Sequence, residues 1–156
     1  MSSPILTAPF GDLATTLCGI WWLQTREDWT KDGQKRIDPT LGAEPVGILS
    51  YSGTHFAAQF MKRDRNENTA DQVTSYSGQN NTVATDGYDA YFGTYEVDEQ
   101  TGKVAHTLIG SITPSNIGIT VSRDMRVNGD RLIIQLATTR PDGEQITRTL
   151  TWKRLN

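Results

Sequence analysis

The chain has 156 residues, of which 36% are hydrophobic and 21% charged, which is typical of one globular domain whose core needs neither metals nor disulfides. Fifteen Lys and Arg against eighteen Asp and Glu give a net charge of -3 without a basic block, which argues against nucleic acid as a partner. The longest apolar run, residues 17–23, is far shorter than the roughly 20 residues that cross a bilayer, so we expect no membrane span. The single cysteine, Cys18, cannot form an internal disulfide and no leader pattern is recognised, so we expect a cytoplasmic location.

The first third of the chain carries weak helix signals and a clear first strand. One or two helical turns are predicted over Pro9 to Thr16, followed by a strand over Gly19 to Thr25. A weaker signal leads from Trp29 through the Asp32-Gly33 turn to Arg36 and predicts a short additional strand.

From Val46 onward, short alternating runs of β-branched and aromatic residues are separated by turn signals, which is typical of an antiparallel meander. Strands are predicted over residues 46–51, 55–61, 91–97, 104–111, 119–127, 130–138 and 145–153. The polar stretch 62–81 is too long for a tight connection and is predicted as a loop at the mouth of the fold. A second short helix is predicted over Thr82 to Asp89.

About eight antiparallel strands in sequence order must protect their edges, and a sheet that closes on itself has no edges left. The sequence therefore predicts an all-β fold, a single up-and-down antiparallel β-barrel with short capping helices. We expect residues 1–18 to form an N-terminal capping segment and residues 19–156 to form the barrel. A barrel of this size is either filled by side chains or encloses one small-molecule cavity.

The turns indicate which side chains point into the barrel, because a hairpin turn determines the register of its strands. A type I′ turn at Asn128-Gly129 pairs Met125 with Leu132 and Arg123 with Ile134 on one face, which must be the interior because its other members are apolar. The same counting from the turn at residues 99–102 turns Tyr95 and His106 inward together, and alternation in the last strand turns Arg148 inward.

The hairpin at residues 46–61 has two faces that differ less in polarity. We expect the more apolar face to be interior, namely Leu49, Tyr51, Phe56, Ala58 and Phe60. A one-residue bulge would reverse the two faces and turn Gln59 and His55 inward instead.

Several segments in order along the chain share one resemblance, namely residues 19–23, 45–51, 58–61, 91–98 and 128–132. Gly19-Ile20-Trp21 resembles the Gly-x-Trp signature of lipocalins, and Trp152-Lys153-Arg154 lies near the end of the sequence. From about Gly19 to Arg154 the chain resembles the small lipocalin-like domain family of bacteria and fungi, part of the calycin superfamily. It implies a lipocalin-like barrel in which Trp21 closes the floor beneath a basic residue. The superfamily includes passive carriers, lyases, isomerases and cyclases, so the resemblance implies no single reaction.

Two arginines on inward faces allow two interpretations. A buried guanidinium is unfavourable by several kcal/mol unless it is paired, so Arg123 and Arg148 could each be neutralised by a loop carboxylate such as Asp86 or Asp89. Alternatively, the two guanidinium groups form an anion site for a carboxylate, enolate or phenolate of a ligand.

His106 also has two interpretations. A lone histidine on an apolar strand face is commonly a hydrogen-bonded core residue. Beside Tyr95, however, it could act as a general acid or base while an arginine stabilises the developing negative charge.

The sequence lacks the residue patterns that several other common active sites require. Two histidines and one cysteine do not suit a zinc site, and neither a phosphate-binding glycine loop nor a Gly-x-Ser-x-Gly elbow is present. We therefore predict no cofactor.

The leading hypothesis is a cofactor-free enzyme of the cyclase, isomerase, dehydratase or lyase type that acts on a small, partly apolar, anionic or enolisable molecule in the barrel. The alternatives are a non-catalytic binding protein for a small hydrophobic ligand, and an interaction module or homodimer that uses an exposed apolar patch around Ile20 and Trp22. The expected catalytic residues are His106, Tyr95 and Arg123, and the expected ligand contacts are Arg148, Tyr51, Phe56, Phe60, Leu49, Met125, Ile134 and Gln59.

Overall fold

A computed structural model of the chain describes residues 12–65, 82 and 84–156. In chain order its elements are α1 (Leu13–Leu17), β1 (Gly19–Thr30), β2 (Lys35–Arg36), β3 (Val46–Tyr51), β4 (His55–Met61), β5 (Tyr88–Asp98), β6 (Lys103–Ser111), a 3-10 helix (Pro114–Asn116), β7 (Thr120–Asn128), β8 (Arg131–Thr139) and β9 (Gln145–Arg154). Within the described residues, no helix is long and apolar enough to cross a membrane.

The strands form one antiparallel sheet that closes into a barrel. The order is β2-β1-β3-β4-β5-β6-β7-β8-β9, and β1 also pairs with β9. β1 is long enough to make both contacts: its first residues, 19–22, pair with β3, and a bulge between Leu23 and Thr25 lets residues 21–30 follow β9. Eight strands, all except β2, therefore form the closed barrel that the meander pattern predicted. β2 is the short additional strand and pairs with the end of β1.

The alternation of each strand accounts for the core. In β7 and β8 every second residue is buried, from Val121, Arg123 and Met125 to Leu132, Ile134 and Leu136. β3 and β4 pair without a register shift and bury Tyr51, Phe56 and the other residues of the face predicted to be interior. The bulge that would have reversed the two faces of this hairpin is absent from it.

The β7–β8 turn differs from the predicted type I′ turn. Asn128 pairs with Arg131, so Gly129 and Asp130 are the central residues, and of these Gly129 has a positive φ, +67°. A glycine at the first central position is typical of a type II′ turn. The turn is displaced by one residue, so Leu132 pairs with Val127 and Ile134 with Met125. Partners shift by two positions, and the set of inward residues stays the same because side chains alternate with period 2.

The two helix predictions have different outcomes. α1 covers the second half of the predicted N-terminal helix, and residues 9–11 lie outside the described residues. The described part of Thr82 to Asp89 is not helical: Thr85 and Tyr88 exchange backbone hydrogen bonds across a tight turn, and β5 begins at Tyr88. Asp86-Gly87 accounts for the difference, because both residues adopt positive φ and end any helical run. Most of the predicted loop, residues 66–81, also lies outside the described residues.

One end of the barrel is closed by a tryptophan and an arginine. The Arg154 guanidinium lies 4.2 Å from the centre of the buried Trp21 ring, and the indole N–H of Trp21 donates to the Leu17 carbonyl at 2.9 Å. Arg154 also donates to the carbonyls of Thr16 and Cys18, which ties α1 to the last strand. The resemblance implied this arrangement.

Candidate functional site

A cavity occupies the barrel lumen above this floor. Its volume is about 40 Å³, several times the roughly 10–15 Å³ that one water needs and well below the roughly 300–1,000 Å³ of drug-binding clefts. It suits a ligand of a few non-hydrogen atoms. The cavity is lined by Arg26, Leu49, Tyr51, Ala58, Phe60, Thr82, Asp89, Tyr91, His106, Arg123, Ile134, Leu136, Arg148, Leu150 and Trp152.

Aromatic rings contributed mainly by β3, β4 and β5 form one wall of the lumen. Phe56 contacts Tyr91 at a centroid distance of 5.9 Å, and Phe60 contacts Tyr91 at 6.4 Å and Trp152 at 5.6 Å. Phe56 also stacks on His106 at 4.1 Å. The side chains of Ile134, Leu136 and Leu150 on β8 and β9 are aliphatic. A ligand in this cavity would therefore have an apolar part.

His106 lies in the lumen, but its hydrogen-bond partner is not the predicted one. Its Nε2 is 2.7 Å from the Tyr51 hydroxyl. Tyr95 is directly opposite His106 in the register, yet its hydroxyl accepts a hydrogen bond from the Gly53 amide at 2.8 Å and lies 4.0 Å from the Cys18 sulfur. Tyr95 and His106 therefore lie opposite each other and are buried, as predicted, but the expected partnership of their side chains does not form. Backbone pairing places two Cα atoms opposite each other without directing the far ends of long side chains.

Burial makes His106 a weak base. Desolvation, reinforced by the nearby Arg123 charge, lowers the pKa of His106 to about 3. Burial also raises the pKa of the Tyr51 hydroxyl well above its ordinary value. Near neutral pH both groups are therefore uncharged. The pair can donate and accept hydrogen bonds, but protonating His106 at that pH is unfavourable.

Arg148 belongs to a buried ion network at the opposite end of the cavity from the Trp21 floor. Its Nε and Nη2 donate to the two carboxylate oxygens of Asp28 at 2.8 and 3.1 Å, and Asp38 lies 3.7 Å away. Asp38 also accepts from Arg26 at 3.1 Å. Although burial alone would raise it, the guanidinium groups of Arg26 and Arg148 lower the pKa of the Asp38 carboxyl.

The prediction that Asp86 or Asp89 neutralises Arg148 was therefore wrong. The carboxylates beside Arg148 are those of Asp28 on β1 and Asp38 in the loop after β2, because closure of the barrel brings β1 beside β9. Asp86 is exposed, and its backbone carbonyl accepts from Arg65.

Arg123 lies in the lumen on β7. It is buried, and its Nη1 donates to the Ser122 carbonyl at 2.9 Å. Burial lowers the pKa of its guanidinium, while Tyr91, Tyr51 and Asp89 act in the opposite direction. The cavity thus contains a cation on a strand of largely apolar inward residues.

Asp89, at the start of β5, is an acidic residue that lines the cavity. Its Oδ2 accepts a hydrogen bond from the Thr82 hydroxyl at 2.8 Å, and within the part of the chain that the structure describes its Oδ1 has no hydrogen-bond partner. Burial raises the pKa of the Asp89 carboxyl to about 7, despite the Thr82 hydrogen bond and the Arg26 charge. Near neutral pH, both the protonated and the ionised form of the Asp89 carboxyl are therefore populated.

The remaining predicted ligand contacts are divided between the lumen and the surface. Leu49, Tyr51, Phe60 and Ile134 line the cavity. Met125 and Phe56 are buried next to lining residues without being part of the lining: Met125 accepts from the Tyr51 hydroxyl at 3.7 Å, and Phe56 stacks on His106. Gln59 is exposed and hydrogen-bonded to the Tyr88 hydroxyl on the outer face, so its prediction as a lumen residue was wrong. That prediction required the bulge that β3–β4 lacks.

Among the described residues that line the cavity, three buried polar atoms have no hydrogen-bond partner: Asp89 Oδ1, His106 Nδ1 and Trp152 Nε1. Buried polar atoms are rarely unpaired, so each requires a reason, and a bound ligand or water is one. Sequence analysis did not include Trp152 among the ligand contacts, although Trp152 shares the inward alternation of Arg148 and Leu150, and it treated Asp89 only as a counter-ion.

The outer surface carries the apolar patch that an interaction module would need. Ile20, Trp22 and Ile48 are 36–40% exposed, and Trp22 is the register partner of Ile48. The patch lies on the outside of the barrel and is separate from the cavity. Among the described residues, no group of three or more His, Cys, Asp or Glu is placed to hold a metal ion.

Comparison with known proteins agrees with the fold. The sequence model of a family described as a lipocalin-like domain matches residues 18–155, which include the whole barrel. A search of curated proteins finds no match to the chain. The family match covers most of the chain, and the closed antiparallel barrel is the fold that it requires. The chain therefore belongs to the lipocalin-like domain family.

Proposed function

We propose that the barrel binds a small, partly apolar molecule with an anionic or enolisable group and catalyses a cofactor-free proton transfer on it, of the isomerase, cyclase, dehydratase or lyase type. The observation that carries the proposal is the composition of the cavity. An aromatic wall and a buried arginine surround three polar atoms without partners, Asp89 Oδ1, His106 Nδ1 and Trp152 Nε1.

In this proposal different lining residues bind different parts of the ligand. The rings of Tyr91 and Phe60 pack against the apolar part of the ligand, and Arg123 faces its carboxylate or the oxyanion that forms during reaction. The Trp152 N–H and His106 Nδ1 orient the ligand by hydrogen bonds. Arg148 contributes mainly through Asp28, which already occupies its donor groups.

The second candidate is a binding protein without chemistry, and the environment of His106 favours it. A histidine whose pKa is lowered to about 3 is a poor general base near neutral pH. If the same lumen only holds a ligand, substitutions change affinity and there is no turnover to lose.

Three small probe compounds test the proposed ligand class. Pyruvate is anionic and enolisable, propanoate is anionic, and acetone is enolisable but uncharged. Because a hydrogen bond to a charged group contributes about 1.5–3 kcal/mol, we expect both anions to bind at least about tenfold more tightly than acetone. Binding is measured by NMR shift titration of the full chain.

Arg123→Met should remove the preference for the anions, whereas Arg126→Met, a change at an exposed arginine of the same strand, should keep it. Arg123→Lys keeps the positive charge and should retain part of the preference for the anions. It therefore shows whether the preference lost in Arg123→Met depends on that charge. Equal affinity for acetone and pyruvate, or no binding of any of the three compounds, would contradict the proposal. Turnover separates the two candidate functions: an enzyme accelerates proton exchange on a bound anion of this class, whereas a binding protein holds the anion unchanged.

A further inference from the structure

Asp89 is built into the lumen in a way that leaves one oxygen available. The residue is 3% exposed, and it lines the cavity. Thr82 donates to Oδ2 at 2.8 Å, which orients the carboxyl group, while no described residue is a hydrogen-bond partner of Oδ1. The proposed function needs a group that can take up and return a proton, and Asp89 offers an unpaired carboxylate oxygen on a residue that lines the cavity.

The charged groups around Asp89 keep both of its protonation states accessible. From β1 and the loop after β2 it faces Arg26 and Asp38, which act in opposite directions, and burial favours the neutral form. From β7 it interacts with Arg123, and from its own strand with Tyr91. Arg148 also lines the cavity but is held by Asp28.

The other lining groups with displaced pKa values are poorly matched to proton exchange near neutral pH. His106 resists protonation, since burial lowers its pKa to about 3. The hydroxyl groups of Tyr51 and Tyr91 resist ionisation, since burial raises their pKa values. Asp89, with a pKa of about 7, can be base or acid.

We propose, building on the proposed function, that Asp89 is the proton acceptor and donor of this site, and that His106 only orients the ligand. Asp89 Oδ1 takes a proton from the carbon next to a ligand carbonyl. The C–H bond breaks, its electron pair forms the enolate C=C bond, and the carbonyl electrons move to the oxygen that faces Arg123. Return of the proton to the carbon skeleton regenerates the carboxylate, so the step needs no oxidant, reductant or cofactor.

Exchange of the pyruvate methyl protons for deuterium, followed by proton NMR in D2O, tests this role. A positioned acid–base group contributes about 10²–10⁴-fold, so the wild-type chain should accelerate exchange at least about 100-fold over buffer. The rate should rise with pH through about 7 as Asp89 ionises. Asp89→Asn should lose the acceleration and change pyruvate affinity by less than about threefold, because the amide keeps the shape of the side chain. His55→Gln, at the exposed histidine, should change neither.

Thr82→Val provides a second test, the midpoint of the pH–rate profile, which would not move if Asp89 had only a structural role. This test does not require the Asp89→Asn variant to fold. Loss of the hydrogen bond to Oδ2 removes an interaction that lowers the pKa of Asp89, so the midpoint of the pH–rate profile should move upward. Pyruvate binding without accelerated exchange, exchange that survives in Asp89→Asn, or a Thr82→Val profile with an unchanged midpoint would overturn this role and leave the proposed ligand class intact. If pyruvate and propanoate do not bind, the proposed function itself fails.

Discussion

At the scale of single residues, Asp89 and His106 make the stability of the fold depend on pH in opposite directions. The Asp89 pKa is raised from 3.8 to about 7, so between these pH values the folded state keeps a proton that the unfolded state releases. The contribution of Asp89 to stability is therefore present below pH 3.8 and is lost as the pH rises to about 7. The His106 pKa is lowered from 6.5 to about 3, so its contribution is present above pH 6.5 and is lost as pH falls towards 3. Between about pH 4 and 6.5 the two effects largely cancel.

Asp89→Asn should reveal this cancellation. A pKa raised by about three units corresponds to roughly 4 kcal/mol, so the variant should gain about that much free energy of unfolding, relative to wild type, between pH 4 and pH 8. Urea denaturation at pH 4, 6 and 8 measures the difference. Asp86→Asn, the same change of side chain at an exposed position three residues earlier, serves as control. A difference between Asp89→Asn and wild type that is constant with pH would contradict the buried-carboxyl interpretation.

At the scale of elements, the ion network of Asp28 and Arg148 joins the first and last strands of the barrel. The two residues are register partners and both are buried, so their charges are shielded from water and depend on each other. A buried pair contributes little compared with an apolar pair of the same shape, but the loss of one partner leaves an unpaired charge.

Arg148→Met should therefore destabilise the fold by about 3–5 kcal/mol, and adding Asp28→Leu should recover at least about half of that loss. Urea denaturation of both single variants and the double variant measures the coupling. The exposed pair Lys35–Glu27 is the control, and Lys35→Met should change stability by less than about 1 kcal/mol. A double variant as unstable as the sum of its single variants would show that the two charges do not act as a pair.

β5 and β6 show how a glycine allows a local irregularity. The register shifts between Phe92 and Gly93, and a Cβ at Gly93 would lie 1.9 Å from the Thr107 carbonyl oxygen. The two backbones therefore approach more closely than any side chain permits. The predicted inward face of this pair begins after the shift, which explains why Tyr95 and His106 remain opposite each other.

At the scale of the whole molecule, one end of the barrel depends on a contact between the end of β9 and the segment formed by α1 and the start of β1. Arg154 covers Trp21 and donates to carbonyls at the end of α1, so it joins the described N-terminal residues to the last strand.

Arg154→Met should lower the free energy of unfolding by about 2–4 kcal/mol, since it removes charge-assisted hydrogen bonds and a cation–π contact. Lys153→Met, at the exposed neighbour on the same strand, is the control and should change stability by less than about 0.5 kcal/mol. Thermal unfolding of both variants measures the contrast, and equal effects would show that the Arg154 contacts add nothing to the closure.

The fold could be predicted from sequence because local signals suffice for it. Alternation assigns each residue to a face, and a turn that is misplaced by one residue, as at Gly129, changes the partners by two positions and leaves the faces unchanged. Gln59 shows the limit of this rule: its inward position required a bulge that the strands do not contain. The Thr82 to Asp89 helix failed for the opposite reason, since its Asp-Gly turn outweighs a weak helix signal.

The site was less predictable, because contacts between distant strands decide it. From the sequence alone came the barrel, the inward positions of His106, Arg123 and Arg148, and the apolar character of the opposite wall. Only the closed structure decided that Tyr51 contacts His106, that Asp28 neutralises Arg148 and that Asp89 is left with one unpaired oxygen. The physical reason is that alternation acts through the backbone of one strand, whereas hydrogen bonds and desolvation depend on side chains that meet only when the barrel closes.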